Sequence, residues 1–303
     1  MKIRGNALCG SRIERSLWRK PDSISAQRRF IALKNVRYRL LTRNLKLTLA
    51  YDGHDFAGWQ IQPDRVSIQG TLVFAFEHLT GEKTLPQGSG RTDAGVHALA
   101  QTASVTIQSP IPAANLIRAL NDVLPRSIRI LAVDEMPPDF HARRSATAKT
   151  YRYHIYRGAI CSPFQARYVY HHPYPLDESQ MIAAASLVEG QHDFTSFAAV
   201  DPEKRNAPEK RKDPENRDQE IEINNVRTIF HSQWQRHADE LVYTVRGNGF
   251  LHHMVRNLVG TFLMVGKGSL KIEDVRRILD LRDRSAAAAT APASGLFLVS
   301  VEY

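Results

Sequence analysis

The chain has 303 residues and carries 41 Lys and Arg against 31 Asp and Glu, a formal net charge of +10. Residues 1–45 hold 12 of those bases and only two acids, Glu14 and Asp22, which leaves 29 of each sign in the rest. A polyanionic partner, which an excess of this size suggests, must therefore be argued from particular residues, because the chain beyond residue 45 is neutral on average. No apolar run approaches the roughly 20 residues of a membrane-spanning helix: the longest, 258–265, is broken by Gly260 and Thr261. Cys9 and Cys161 cannot form a disulfide framework and no C-x-x-C spacing exists, which disfavours structural zinc and fits a reducing compartment.

Residues 1–45 are Arg-rich and acid-poor, with Ser11, Ser16, Ser23 and Ser25. That composition fits an organellar transit peptide, an RNA-contacting arm or a start codon placed too early, and it does not fit a folded domain. Leu45, Leu47, Leu49 and Tyr51 then alternate with polar or small residues as a half-buried strand. Ile68, Leu72, Phe76 and Leu79 recur at helical spacing, with Ser67 as N-cap and Gly81 past the end. Residues 102–107 alternate again, a second helix follows Pro112 through Leu116, Ile117 and Leu120, and 127–136 reads as a strand.

The second half, 149–303, repeats that order after a first half at 46–148. Residues 150–157 alternate, with Tyr151, Tyr153 and Ile155 on one face. Asp177 and Gln180 suggest a capping box for a helix through Met181, Ile182, Ala185 and Val188, closed by Gly190. The stretch 201–220, with six bases, seven acids and Pro202, Pro208 and Pro214, reads as a solvated loop insertion. Strands follow near 226–235 and 241–247, then helices at about 252–265 and 272–281, and a last strand at 296–303. Two similar halves imply an α+β protein with a cleft between two lobes.

Two segments break local rules. Residues 88–97, GSGRTDAGVH, crowd Gly88, Gly90 and Gly95 around Arg91 and Asp93. Such a loop can hold an Arg and an Asp as a site, or it can be a polar turn whose Asp caps an amide. Residues 254–265 form a helix that is apolar all round and must be buried, yet Arg256 lies in its first turns. A buried guanidinium needs a carboxylate; the Asp of the glycine-rich loop is one candidate and an ordinary structural salt bridge is the other. Adjacent pairs His171–His172 and His252–His253 point in different directions by ordinary geometry and have no supporting carboxylate spacing, so no metal site is expected. Phosphate-loop, dinucleotide and serine-hydrolase patterns are absent, so no cofactor is expected.

At 90–98, GRTDAGVHA, the sequence resembles the active-site motif of tRNA pseudouridine synthases of the TruA family. The likeness continues in order through YDG at 51–53 with GWQ at 58–60, DFHAR at 139–143, KTYRY at 149–153, DFTSF at 193–197, FLHHMVRN at 250–257 and TAPASGL at 290–296. It implies a pseudouridine synthase fold, two lobes around a continuous mixed, largely antiparallel sheet with the catalytic cleft between them. It implies isomerisation of uridine at positions 38, 39 and 40 of the tRNA anticodon arm by a cytoplasmic homodimer, with no metal or other cofactor and no membrane; an organellar location is the alternative if residues 1–45 are a transit peptide. On the same ground Asp93 is the nucleophile, attacking either the sugar C1′ or the base C6, and Arg256 is its partner. Tyr151 packs on the target base and is placed to help remove the C5 proton, and Arg91 flips the base or holds phosphate. Arg143, Arg144 and Lys149 are candidates for backbone contacts. A non-catalytic tRNA-binding relative would be expected to lack Asp93 or Arg256, and a metal-dependent hydrolase would need ligand spacing that the sequence lacks.

Overall fold

The computed structural model describes residues 42–199 and 224–303. The readings of the basic tail, up to residue 41, and of the charged insertion at 201–220 lie outside the described residues.

Strand β1 (Arg43–Tyr51) starts inside the stretch that composition assigns to the tail. Leu45, Leu47, Leu49 and Tyr51 are buried as the alternation predicts. Arg43 belongs to the ladder because it pairs with Ile107 and its guanidinium donates to the carbonyls of Ser109 and Ile111 at 2.7 and 2.8 Å. Helix α1 (Ile68–Thr80) follows, with the Ser67 hydroxyl accepting from the Gly70 N–H and Gly81 in the left-handed region at φ 72°. Next come β2 (Gln87–Gly88), β3 (His97–Ile107), α2 (Ala113–Val123) and β4 (Ile128–Met136).

The second half runs through β5 (Ala148–Tyr156), β6 (Tyr170–His171), α3 (Glu178–Ser186), β7 (Gly190–Asp193), β8 (Val226–His237), β9 (Glu240–Gly247), α4 (Met254–Gly266), α5 (Ile272–Leu281) and β10 (Leu296–Glu302). Asp177 caps α3 by accepting from the Gln180 N–H. The helix stops at Ser186, short of the predicted Val188, and Gly190 opens β7 at φ 98°. Strands β2, β6 and β7, of two to four residues, are too short to show a period and were not predicted.

The ten strands of the described residues form one sheet, with main order β4-β1-β3-β10-β5-β9-β8-β7; β2 pairs with β3 and β6 with β5. Among the described residues only β3–β10 and β5–β6 are parallel, so the sheet is mixed and largely antiparallel. The last strand, β10, lies between the two halves and joins them. Its register puts Leu298 beside Ala98 on one side and beside Tyr151 on the other. With strands about 4.8 Å apart, this alignment brings the loop that ends at Val96 to within about two strands of Tyr151.

Helix α4 is buried nearly all round, as its sequence requires. Phe262 packs on Trp234 and Tyr243 of β8 and β9 at ring-centroid distances of 6.4 and 5.4 Å. Burying a side chain of that size contributes roughly 1.5–3 kcal/mol. A Cβ on Gly260 would lie 2.0 Å from the Ala289 carbonyl oxygen, so only glycine allows α4 to approach the 287–292 segment this closely. Among the described residues no helix is long and apolar enough to cross a membrane.

Candidate active site

The loop at 88–97 leaves β2 and enters β3 as an ordered structure. Gln101, fully buried on β3, accepts from the Ser89 hydroxyl at 2.6 Å and donates to the Gly90 carbonyl at 3.0 Å. The Tyr51 hydroxyl meets Thr92 Oγ1 at 2.8 Å, and the Trp59 N–H donates to the Thr92 carbonyl at 3.0 Å. Burial pushes the Tyr51 phenol up to about 12, which keeps it a neutral hydrogen-bonding group. Of the three glycines only Gly95 has a positive φ, 79°, where the chain turns back toward β3. The Val96 N–H then closes on the Asp93 carbonyl at 3.1 Å. Asp93 is thus held at the apex of a turn closed by its own backbone carbonyl, which leaves its carboxylate free to face α4.

The Asp93 carboxylate faces the first turn of α4. Arg256 donates from Nη1 to Asp93 Oδ2 at 2.7 Å and from Nε to the Ala291 carbonyl at 2.8 Å, and both side chains are more than four-fifths buried. The Ala291 N–H returns to the Arg256 carbonyl at 3.1 Å. The next residue, Asn257, faces inward: it donates to the Phe197 carbonyl at 2.7 Å and accepts from Arg284 and from Thr290 Oγ1 at 3.0 and 2.7 Å. These bonds hold three distant motifs, DFTSF, FLHHMVRN and TAPASGL, as one support for the guanidinium.

His252 and His253 do not diverge as adjacent residues ordinarily would. His253 sits in the left-handed region at φ 59°, which swings both rings to the same side. Their Nε2 atoms lie 3.7 and 3.4 Å from Asp93 Oδ1 and Oδ2, and the rings are 3.9 Å apart. One atom from each of the three residues falls within 4.8 Å of the others, a spacing that a metal ion could occupy. The Arg256 guanidinium already offsets the Asp93 charge there. Burial, ahead of the neighbouring cations, pulls the His253 pKa below its usual value while Asp93 opposes, so the imidazole is neutral near pH 7.

Tyr151 completes the arrangement on β5. Residues 149, 151 and 153 point to one face: the Tyr153 hydroxyl donates to the Pro292 carbonyl at 2.8 Å, and the Tyr151 ring meets Phe250 edge-on at 5.0 Å. Burial, then the nearby Tyr51 and Asp93, push the Tyr151 phenol well above its usual 10. Asp93, Arg256, Tyr151 and Phe250 line a narrow opening, and the exposed Arg91 stands at its mouth. The four residues singled out from the sequence therefore converge. Gln101, Phe250 and the histidine pair escaped that reading. Gln101 had a faint signal, a polar residue in an otherwise strand-like run.

The sequence model described as tRNA pseudouridine synthase matches residues 48–143 and 184–303. A tRNA pseudouridine synthase A of Solibacter usitatus is 51% identical over 262 residues, covering 86% of this chain and all of that protein. Those of Latilactobacillus sakei and Brevibacillus brevis are each 41% identical, over 87% and 86% of this chain and the full length of each relative. With likeness of that extent on both sides of the cleft, the chain belongs to the tRNA pseudouridine synthase family.

Proposed function

We propose that this protein isomerises uridine to pseudouridine in the anticodon arm of tRNA, at positions 38, 39 and 40, with Asp93 as nucleophile. The observation that carries the reading is the 2.7 Å pair between Asp93 and Arg256, set across the junction of the two halves and next to a buried tyrosine. The reaction breaks the bond from C1′ to N1 and forms one from C1′ to C5. C5 loses a proton and N1 gains one, so atoms and electrons balance without an external oxidant or reductant. A carboxylate suits the attacking group, since it can form an ester-like intermediate and leave again. Arg256 fixes its direction, and attack on C1′ and attack on C6 both remain compatible with that geometry.

Tyr151 supplies a flat apolar face for the base and a neutral phenol at the edge where C5 would lose its proton. The uridine enters this narrow opening out of its stack, past Phe250 and Arg91 at the mouth. We place the reaction in the cytoplasm, as the bacterial source of the relatives supports. A homodimer bridged by tRNA, working without metal or small-molecule cofactor, completes the reading. The test is to map pseudouridine in an anticodon-arm tRNA incubated with the protein alone; its absence at all three positions would refute the proposal.

A further inference from the structure

Lys149 has a task of its own beside the catalytic pair. Its ammonium donates to the Ser89 carbonyl at 2.6 Å, at the root of the Asp93 loop. It also lies over Gly90, where a Cβ would come within 3.3 Å of Nζ. Lys149 and Tyr151 share a face of β5, so this one side chain ties the strand carrying the tyrosine to the loop carrying the carboxylate.

Its charged surroundings point to an anion. Arg143 follows Ala142, whose N–H donates to Ser104 Oγ at 3.1 Å on the stretch of β3 that pairs with Gln87. Arg227 lies two residues before Ile229, which pairs with Gly247 opposite Lys149. Both segments therefore flank Lys149, and both arginines act on it through their positive charge. Arg227 packs along Gly249, 3.5 Å from where a Cβ would stand, on the segment that leads to Phe250 and α4. Among the described residues, none of the three forms an ion pair with a carboxylate. The other charges nearby are already engaged: Arg246 of β9 and Glu302 of β10 bond each other at 2.7 and 2.8 Å, and in the loop Asp93 is held by Arg256 while Arg91 has contacts of its own. Burial first, then Arg143 and Arg227, lower Lys149 from 10.5 to about 8. Burial and Arg143 lower Arg227 as well. Uncompensated like charges beside a catalytic loop are costly unless an anion joins them.

We propose that Arg143, Lys149 and Arg227 bind a backbone phosphate of the RNA close to the target uridine, and that Lys149, as a positioning residue, couples occupancy of that site to the placement of the Asp93 loop against Tyr151. The proposal rests on the RNA-modifying reading above. A bound phosphodiester offsets the repulsion among the three cations, so the ammonium stays on Ser89 and the loop stays seated. Without it the tie weakens as Lys149 loses its proton.

The test uses the full chain, a tRNA transcript and single-turnover kinetics from pH 6.5 to 9.5. In the wild type kcat/KM should fall on the alkaline side with a midpoint near 8, whereas the fall in kcat should lie at least about one pH unit higher, because bound phosphate favours the charged amine. Lys149→Met should lower kcat at least tenfold with a tRNA Kd changed only a few-fold, and Lys149→Arg, which stays charged, should abolish the alkaline fall. Arg143→Gln and Arg227→Gln should each weaken tRNA binding and flatten its salt slope, by no more than about one for the single phosphate they share, and move the kcat/KM midpoint upward by removing repulsion. Wild-type kcat for Lys149→Met, or an unchanged salt slope and midpoint for both arginine variants, would overturn the proposal. If the wild type makes no pseudouridine, the catalytic reading fails, and the salt slopes of the three variants still decide the phosphate site.

Discussion

Arg256 donates to Asp93 Oδ2 from Nη1 at 2.7 Å and to the Ala291 carbonyl from Nε at 2.8 Å, so one guanidinium aims the carboxylate and anchors the segment before β10. Its fork can reach two acceptors in different directions while the helix that carries it stays buried. Removing it should therefore cost both activity and stability. Arg256→Ala leaves Asp93 without its nearest cation and should lower stability by about 2–4 kcal/mol, several degrees in melting temperature, together with loss of pseudouridine formation. Arg256→Lys can satisfy only one acceptor and should fall between. A melting temperature equal to wild type in the alanine variant would show that the pair is not structural.

Asp93→Asn separates chemistry from architecture. The amide keeps the size of the carboxylate, and its oxygen can still accept from Arg256, so the fold should persist. Turnover should fall on the order of 10³ or more, as when a nucleophile is removed. Full activity in this variant, measured by pseudouridine mapping, would take the nucleophile's role from Asp93.

Tyr151 is held neutral, so its hydroxyl works as a phenol rather than a phenolate. Tyr151→Phe keeps the ring that meets Phe250 and should leave tRNA affinity within a few-fold, while kcat drops roughly 10²-fold or more through loss of the proton path. Tyr151→Leu should lose stacking as well. If Tyr151→Phe retains wild-type kcat, stacking alone is the tyrosine's role.

Gly260 lies one turn along α4 from Arg256, and a Cβ there would lie 2.0 Å from the Ala289 oxygen, two residues from the carbonyl that holds Arg256. Gly260→Ala should cost roughly 2–3 kcal/mol by overpacking and lower kcat by displacing Ala291. Wild-type melting and kcat together would mean that the segment yields freely.

The pH dependence of stability has a definite sign. His97 and His172 are buried, and burial pulls each below the usual 6.5; Lys267 and Arg157 add to this for His172, while Asp52 opposes it for His97. Arg157 donates to His172 Nδ1 at 3.1 Å, which requires that nitrogen to be unprotonated. A group with a depressed folded pKa adds stability above its unfolded value and loses it as pH falls through the folded one. Melting temperature should thus hold near pH 7–8 and decline by several degrees toward pH 5, with a shallower decline in His172→Gln. Calorimetry across that range would refute the assignment if the two slopes were equal.

Much of the fold follows from short-range pattern. The alternation of Leu45, Leu47, Leu49 and Tyr51, the 3.6-residue spacing from Ile68 to Leu79 and its caps at Ser67 and Gly81 are local, because side-chain direction repeats within each element. The family motifs likewise marked Asp93, Arg256, Tyr151 and Arg91, and all four meet at one opening. What the sequence alone left open was pairing. No local signal says that β10 inserts between β3 and β5, that Asn257 joins the DFTSF and TAPASGL motifs, or that a left-handed His253 turns both imidazoles onto Asp93. Those relationships are set by sheet register and close backbone approach, which depend on residues from about thirty to two hundred positions apart. The net charge of +10 was legible at once and belongs wholly to the first 45 residues. The cations that bear on the site, Arg143, Lys149 and Arg227, emerge from a balanced background only when the fold brings their segments together.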